Sequence, residues 1–217
     1  MYFIKMNIAG AAADKVRELS AAAAARFPQL AEPHGTYSRG WSTPHTSDTT
    51  VKYYFTASDE QIAAVCDALA QFARRQTEPV GGSALVGVAR FPADAPAHES
   101  VVFCKHRRSP AALQLVRDVV ALLHDPGRFG WLKWRLPQDG SAVDGPVLHS
   151  TIAKAAGVCT AQVEALLAAE FEPIEYVLDT VSVCRIPVVA GKRLKSGQDG
   201  GWDYRLFRFG VAPPEPE

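Results

Sequence analysis

The 217-residue sequence lacks an excess of either charge, because 23 lysines and arginines balance 23 aspartates and glutamates. A protein that grips a long nucleic-acid backbone usually carries a basic excess, so this balance argues against a general duplex binder. No apolar run approaches the roughly 18 residues that a membrane span needs. The opening MYFIK also lacks the basic and apolar regions of a signal peptide. Composition therefore predicts a soluble enzyme or binding domain and no membrane partner.

Cysteine is scarce and scattered. The four cysteines form no C-x-x-C pair and have no Cys/His spacing of the zinc type. Each lies in an apolar segment, so we expect buried small hydrophobic residues in a reducing, cytoplasmic setting. They are Cys66, Cys104, Cys159 and Cys184.

Several motifs of large enzyme classes are missing as well. The sequence has no G-x-G-x-x-G, P-loop, G-x-S-x-G or H-E-x-x-H motif. Their absence removes the usual dinucleotide, nucleoside-triphosphate, serine-hydrolase and zinc-protease interpretations.

The apolar periodicity alternates between strands and helices along the chain. Short helices between strands, some of them in hairpins, predict an α+β fold with the helices outside antiparallel sheets. The order of elements divides into two similar halves, so we expect one two-lobed, pseudo-symmetric domain over 1–211 and a tail at 212–217. Predicted strands cover 2–9, 50–57, 82–91, 99–105, 130–136, 146–154, 174–186 and 202–211, and predicted helices cover 11–26, 60–75, 110–124 and 160–169.

Four of the six histidines have a serine or threonine two residues later, which exceeds what the composition predicts. Residues i and i+2 of a strand share one face, so a histidine and a hydroxyl would enter one cleft together. Two such pairs would offer two imidazoles for acid–base catalysis and two hydroxyls for phosphate oxygens. The pairs are His34/Thr36, His45/Ser47, His98/Ser100 and His149/Thr151.

The best-placed pair is in HSTIAK (149–154), between a loop and a helix and among apolar neighbours. This segment resembles the second motif of the two-histidine phosphoesterase superfamily, which includes the 2'-5' RNA ligase-like proteins and cyclic phosphodiesterases. The C-terminal strand pair and the order of the earlier elements are also similar to that family. The resemblance implies a central cleft between the lobes and no metal or cofactor. A structural histidine near a strand end is the other interpretation of His149.

The first motif of that family would lie on the strand before the second helix, but counting back from Ser58 reaches residues 49–51, where no histidine stands. His45 with Ser47 lies a few residues early, and His34 with Thr36 lies farther away. A degenerate first site is the third possibility, whereas the layout makes His98 structural.

If both pairs are active, the resemblance implies hydrolysis of a 2',3'-cyclic phosphate or a 2'-5' linkage at a nucleotide or RNA end. His149 and either His45 or His34 would share the roles of base and acid. Thr151 with Ser47 or Thr36 would hold the phosphoryl oxygens, and Lys154 would be a charge partner in substrate binding.

Two alternatives use the same residues. The first is a non-catalytic module on the same fold that binds nucleotide or RNA ends. Its basic segments at 105–108 and 191–197 would line a path for nucleic acid, although both could also be solvated loops. The other is a helix-turn-helix DNA reader over 151–168. Its recognition helix would carry Glu164, Glu170 and Glu172 and no cation, which disfavours contact with duplex DNA.

Overall fold

A computed structural model describes residues 1–27, 47–91, 101–134, 149–154, 160–185, 188–189, 192–193 and 203–210. Nine strands lie within this part of the chain: β1 (Tyr2–Ile8), β2 (Ser47–Phe55), β3 (Val80–Phe91), β4 (Val101–Arg107), β5 (His149–Lys154), β6 (Ile174–Arg185), β7 (Val188–Val189), β8 (Lys192–Arg193) and β9 (Asp203–Arg208). The helices are α1 (Ala11–Arg26), α2 (Asp59–Arg75), α3 (Pro110–Leu123), α4 (Pro126–Phe129) and α5 (Thr160–Ala169).

Helices α2, α3 and α4 begin where the sequence supplies a capping side chain. The Ser58 hydroxyl accepts a hydrogen bond from the Gln61 amide at 3.2 Å, and the Gln61 side chain accepts one from the Ser58 amide at 2.9 Å. This reciprocal pair satisfies two backbone donors at the start of α2. At the start of α3, the Ser109 hydroxyl accepts a single hydrogen bond from the Ala112 amide, and Pro110 is at the first helical position.

Seven antiparallel strands form one sheet. Six of them follow the order β2-β1-β6-β3-β4-β5, and the seventh, β9, pairs with β6 outside this order. Strands β7 and β8 form a separate two-stranded ribbon. The α+β class with antiparallel strands is therefore confirmed, and strands from both halves of the sequence belong to a single sheet.

Strand β6 joins the two halves. Its C-terminal part pairs with both β1 and β9, whereas its N-terminal part pairs with β3. The register with β1 shifts between Asn7 and Ile8, which are opposite Thr180 and Leu178. The residue between them, Asp179, is an extra residue on β6, so the side-chain alternation reverses there.

The core lies between one face of the sheet and the helices. It contains Ile4, Met6, Val181 and Val183 from the strands, all fully buried, and the inward side chains of α1, α2, α3 and α5. Burial of such side chains is the main favourable contribution to folding. A smaller apolar contact on the opposite sheet face contains Phe3 and Cys184.

One predicted strand is wrong. Residues 130–134, expected to begin a strand, follow α4 as a turn, and the rest of the predicted range lies outside the described residues. The Leu132 amide donates to the Phe129 carbonyl at 2.8 Å, and both side chains are buried. The apolar residues here are thus spaced for a helical turn rather than for strand alternation.

The basic segments also differ from a pair of solvated loops. Residues 105–107 belong to β4, and Lys192–Arg193 form β8. Among the described helices, none is long and apolar enough to cross a membrane.

Candidate functional site

The HSTIAK segment forms β5, so the strand on which the second motif depends is present. His149 is opposite Lys105, Ser150 is opposite Cys104 and Thr151 is opposite Phe103 on β4. The register is regular over these three pairs. The positions of His149 and Thr151 therefore lie on one face of β5 and Ser150 lies on the other.

Ser150 faces the core. It is opposite Cys104 on β4, and Cys104 is opposite Val88 on β3. All three residues are buried, and Cys104 and Val88 belong to the hydrophobic core. The two motif positions beside Ser150 therefore belong to the face that points away from this core.

That second face is polar where it crosses the middle of the sheet. Lys5 and Asn7 on β1, with Thr180 and Ser182 on β6, are buried polar residues there, and we call this set the polar face. The Asn7 amide nitrogen donates to Thr180 Oγ1 at 3.0 Å and to Ser182 Oγ at 2.6 Å. A buried amide is costly unless its donors are satisfied, so these bonds fix the Asn7 side chain.

Of the candidates for the first motif, only Ser47 lies in the described residues, on a strand at the opposite end of the sheet. Ser47 begins β2 opposite Asn7 of the polar face. His34, Thr36 and His45 lie outside the described residues, and β2 itself contains no histidine.

The two ends of the sheet nevertheless approach each other. Strands β2 and β5 are at opposite ends of the pairing order, yet their Cα atoms come within 8 Å. The sheet therefore curves, and the strands that carry Ser47 and the pair His149/Thr151 are neighbours in space.

A pocket of about 310 Å³ adjoins the polar face at Asn7 and Thr180. Arg17 of α1, Arg208 of β9 and the acidic residues Asp14 and Asp179 also line it. Arg17 is held by Asp14 in an ion pair on the exposed side of α1. Because Asn7 is opposite Ser47, the pocket lies at the Ser47 end of β2.

A third histidine interacts with β5, although it was not among the predicted site residues. His106 Nε2 lies 2.9 Å from Ser150 Oγ, and its Nδ1 lies 2.8 Å from the Tyr176 hydroxyl. The imidazole and the Tyr176 ring meet edge to face, with centroids 5.4 Å apart. His106 therefore belongs to the inward side of the sheet rather than to an exposed basic patch.

Sequence reasoning missed His106 because no hydroxyl follows it at i+2. A usable signal was present in Ser150 instead. A serine that shares a strand face with buried Ile152 occupies a core position, and a buried hydroxyl requires a partner.

Lys154, the expected charge partner, ends β5 opposite Val101. The structure thus places His149, Thr151 and Lys154 on one strand and Ser47 on a strand that approaches it.

The helix-turn-helix alternative is wrong. Its first helix would start at Thr151, but residues 151–154 complete a β-strand. Glu164, on the helix that would have read DNA, binds Arg90 of β3, with 2.9 Å between Arg90 Nε and Glu164 Oε2. An acidic residue of α5 is thus used to attach the helix to the sheet.

Thiol chemistry gives no second candidate site in the described residues. Cys66, Cys104 and Cys184 are buried and free, as expected, and Cys159 lies outside those residues. Burial raises the pKa of the Cys104 thiol to about 12, and burial also raises the pKa of Cys66. Thiolates are the reactive form, so these groups are protonated near neutrality. The described ranges likewise contain no cluster of three His, Cys, Asp or Glu side chains that could hold a metal ion.

Comparison with solved structures shows a similar fold over nearly the whole chain. TT0787 of Thermus thermophilus has 16% sequence identity and a TM-score of 0.53, with 96% of this chain and 97% of that chain covered. A structure described as a phosphoesterase has 14% identity and a TM-score of 0.48, with 96% and 97% covered. Escherichia coli LigT complexed with 3'-AMP has 12% identity and a TM-score of 0.47, with 96% of both chains covered.

No protein-family model and no curated protein matches the sequence. The match to TT0787 shows a likeness of fold over nearly the whole chain.

Proposed function

We propose that this protein is a metal-independent phosphodiesterase that opens 2',3'-cyclic phosphates or cleaves 2'-5' linkages at nucleotide or RNA ends. The observation that carries the proposal is the approach of β2 and β5, which brings together the two strands associated with the candidate motifs. The HSTIAK motif on β5 and the fold likeness to TT0787 support it.

In the proposed reaction, one imidazole accepts a proton from water while the water oxygen attacks phosphorus. The bond from phosphorus to one ribose oxygen breaks, and the second imidazole gives its proton to that oxygen. The product is a phosphomonoester. Histidine suits both roles because its ordinary pKa lies near neutrality.

His149 is one of these two imidazoles, and His45 or His34 supplies the other. The hydroxyls of Thr151 and of Ser47 or Thr36 hydrogen-bond the phosphoryl oxygens, where negative charge increases in the transition state. Lys154 contributes positive charge to substrate binding.

The test is hydrolysis of 2',3'-cyclic nucleotides and 2'-5'-linked dinucleotides in the presence of EDTA. His149→Gln should lower kcat by about 10²- to 10⁴-fold, the usual contribution of general acid–base catalysis. His124→Gln is the matched control, because His124 is a C-terminal helix cap stacked on Trp134 and lies outside the proposed site. Its activity should equal that of the wild type.

A second candidate function is a non-catalytic module that binds nucleotide or RNA ends. It is favoured by the absence of histidine from β2. This function would be established if calorimetry shows that the wild-type protein binds a 3'-nucleotide and if the protein hydrolyses neither substrate class at any enzyme concentration. Failure to bind or turn over any of these compounds would reject both.

A further inference from the structure

We infer that His106 is a positioning residue for β5: its hydrogen bond to Ser150 fixes the strand segment on which His149 and Thr151 lie. The functional part of this inference rests on the proposed phosphodiesterase activity. The structural part stands on the geometry of three strands.

Strand β5 has few backbone contacts that define its position. It has six residues and, among the strands of the described residues, pairs with β4 alone, so it forms one end of the described sheet. Its register with β4 also shifts between the Thr151 and Ala153 pairs, which leaves Ile152 as an extra residue. A short edge strand with a bulge has fewer ladder bonds to define its position than a central strand has.

Side-chain hydrogen bonds from neighbouring strands supplement the few ladder bonds of β5. Ser150 is fully buried between the two motif positions, and its Oγ lies 2.9 Å from His106 Nε2 on the neighbouring strand. His106 Nδ1 in turn lies 2.8 Å from the hydroxyl of Tyr176 on β6. The chain of contacts therefore ties the edge strand to the central strand of the sheet.

The side chains of Ser150, His106 and Tyr176 can all act as hydrogen-bond donors and acceptors. A neutral imidazole donates at one ring nitrogen and accepts at the other, and a hydroxyl can do either. Serine, histidine and tyrosine therefore satisfy one another in either direction of the chain. Ser150 and Tyr176 are buried, so leaving either hydroxyl without this partner is unfavourable. A displacement of β5 that breaks the His106–Ser150 bond is accordingly disfavoured.

The consequence for the site follows from the strand geometry. Ser150 lies between His149 and Thr151 in sequence, so any shift of its backbone moves both motif positions. A misplacement of about 1 Å at a reacting group can cost on the order of 100-fold in rate. His106 thus acts on the reaction through β5 without contacting the substrate.

Two substitutions at one position separate positioning from stability. In His106→Gln the side-chain amide can occupy approximately the place of Nε2 and keep the bond to Ser150. In His106→Asn the amide can occupy approximately the place of Nδ1 and keep only the bond to Tyr176. Both variants lose one of the two contacts, so their free energies of unfolding should fall by similar amounts.

Hydrogen–deuterium exchange of the peptide that contains residues 149–154 is the first measurement. We expect faster exchange in His106→Asn and in Ser150→Ala, and near wild-type protection in His106→Gln. The matched control is Ser83→Ala, which removes another fully buried hydroxyl on the same sheet face; that hydroxyl accepts from the Ser109 amide and not from β5. Equal exchange in all four variants would overturn the inference.

Steady-state kinetics on a 2',3'-cyclic nucleotide are the second measurement. His106→Asn and Ser150→Ala should lower kcat by about 10- to 100-fold with little change in KM. The double variant should be no worse than either single variant, because both remove the same bond. A loss in His106→Gln equal to that in His106→Asn would contradict the positioning role.

The two readouts separate the two hypotheses. If wild type is inactive on every substrate, the proposed function fails while the exchange data still decide whether His106 holds β5. If wild type is active and exchange at 149–154 is unchanged in His106→Asn, the positioning role fails and the proposed function stands.

Discussion

The two ends of the sheet come close together in space but are held in different ways. Strand β5 is short, and side chains from other elements fix it: His106 binds Ser150, and the Ser20 hydroxyl of α1 donates to the Ile152 carbonyl at 2.7 Å. Strand β2 is longer, at nine residues, and β1 is its one partner within the part of the chain that the structure describes. Its register with β1 shifts at three places between Tyr2 and Asn7.

This difference explains why one motif can be recognised in the sequence and the other cannot. Strand β5 is regular over residues 149–151, where alternate residues share one face, so the positions of His149 and Thr151 can be interpreted directly. Each irregularity changes which residues share a face, so counting back along β2 from Ser58 assumes a regularity that the strand does not have.

The largest expected effect tests which histidine completes the site at the β2 end. We expect one of His45→Gln and His34→Gln to lower kcat by about 10²- to 10⁴-fold, as His149→Gln does, and the other to remain close to wild type. The measurement is initial rate on a 2',3'-cyclic nucleotide at saturation.

If both variants keep full activity while His149→Gln does not, the reaction uses a single histidine from β5. The two-histidine mechanism would then be wrong, and the two ends of the sheet would be unequal in chemistry as well as in structure.

A smaller effect tests the second attachment of β5. Ser20 is 1% exposed, and Ser20→Ala leaves the Ile152 carbonyl without this donor. The free energy of unfolding should fall by about 1–3 kcal/mol, the cost of an unsatisfied buried polar group. Urea denaturation measures the loss, and amide exchange should increase in β5 but not in β2.

If Ser20→Ala increases amide exchange more in β2 than in β5, the Ser20 hydroxyl does not stabilise β5, because the effect would then lie at the other end of the sheet. Ser182→Ala serves as a comparison, since it removes a buried hydroxyl that accepts from Asn7 at the centre of the sheet.

The smallest effect concerns alkaline pH. Cys104, opposite Ser150 on β4, has a pKa raised from 9.0 to about 12 by burial. Above pH 9 the unfolded thiol loses its proton while the folded thiol keeps it, so the folded state binds more protons and stability falls as pH rises. The slope contributed by this group is at most about 1.4 kcal/mol per pH unit up to the folded pKa.

Denaturation of wild type and Cys104→Ala between pH 8 and 11 measures this contribution. The variant is expected to be less stable at pH 8, because it loses buried volume, but to show a shallower decline with pH. Parallel declines would mean that the Cys104 thiol is not responsible.

Much of the fold could be predicted from local patterns. The alanine-rich helix over 11–26 and the Ser58 and Ser109 caps have signals within a few residues, and the structure has all three. The strand predicted at 130–136 failed because GWLKWRL combines strand-forming residues with the i, i+3 spacing of Phe129 and Leu132, and tertiary burial decided between them.

The contacts of the candidate site could not be predicted in the same way. His106 is 44 residues from Ser150 and 70 residues from Tyr176 in sequence. Their meeting depends on the register of β3, β4, β5 and β6, which no local pattern determines. The irregularities of β2 could not be predicted either, because they are defined by its pairing with β1 and not by its own sequence.

The central place of β6 has a consequence for how the chain assembles during synthesis. Tyr2 pairs with Arg185, so β1 can form its ladder with β6 only after the 183 residues that follow Tyr2 have emerged from the ribosome. Contacts between residues so distant in sequence slow folding. Until then β1 has β2 as its only available neighbour, and a nascent chain with an unpaired apolar strand is exposed to misassembly. The strand that unites the two halves is thus also required before β1 can complete its pairing.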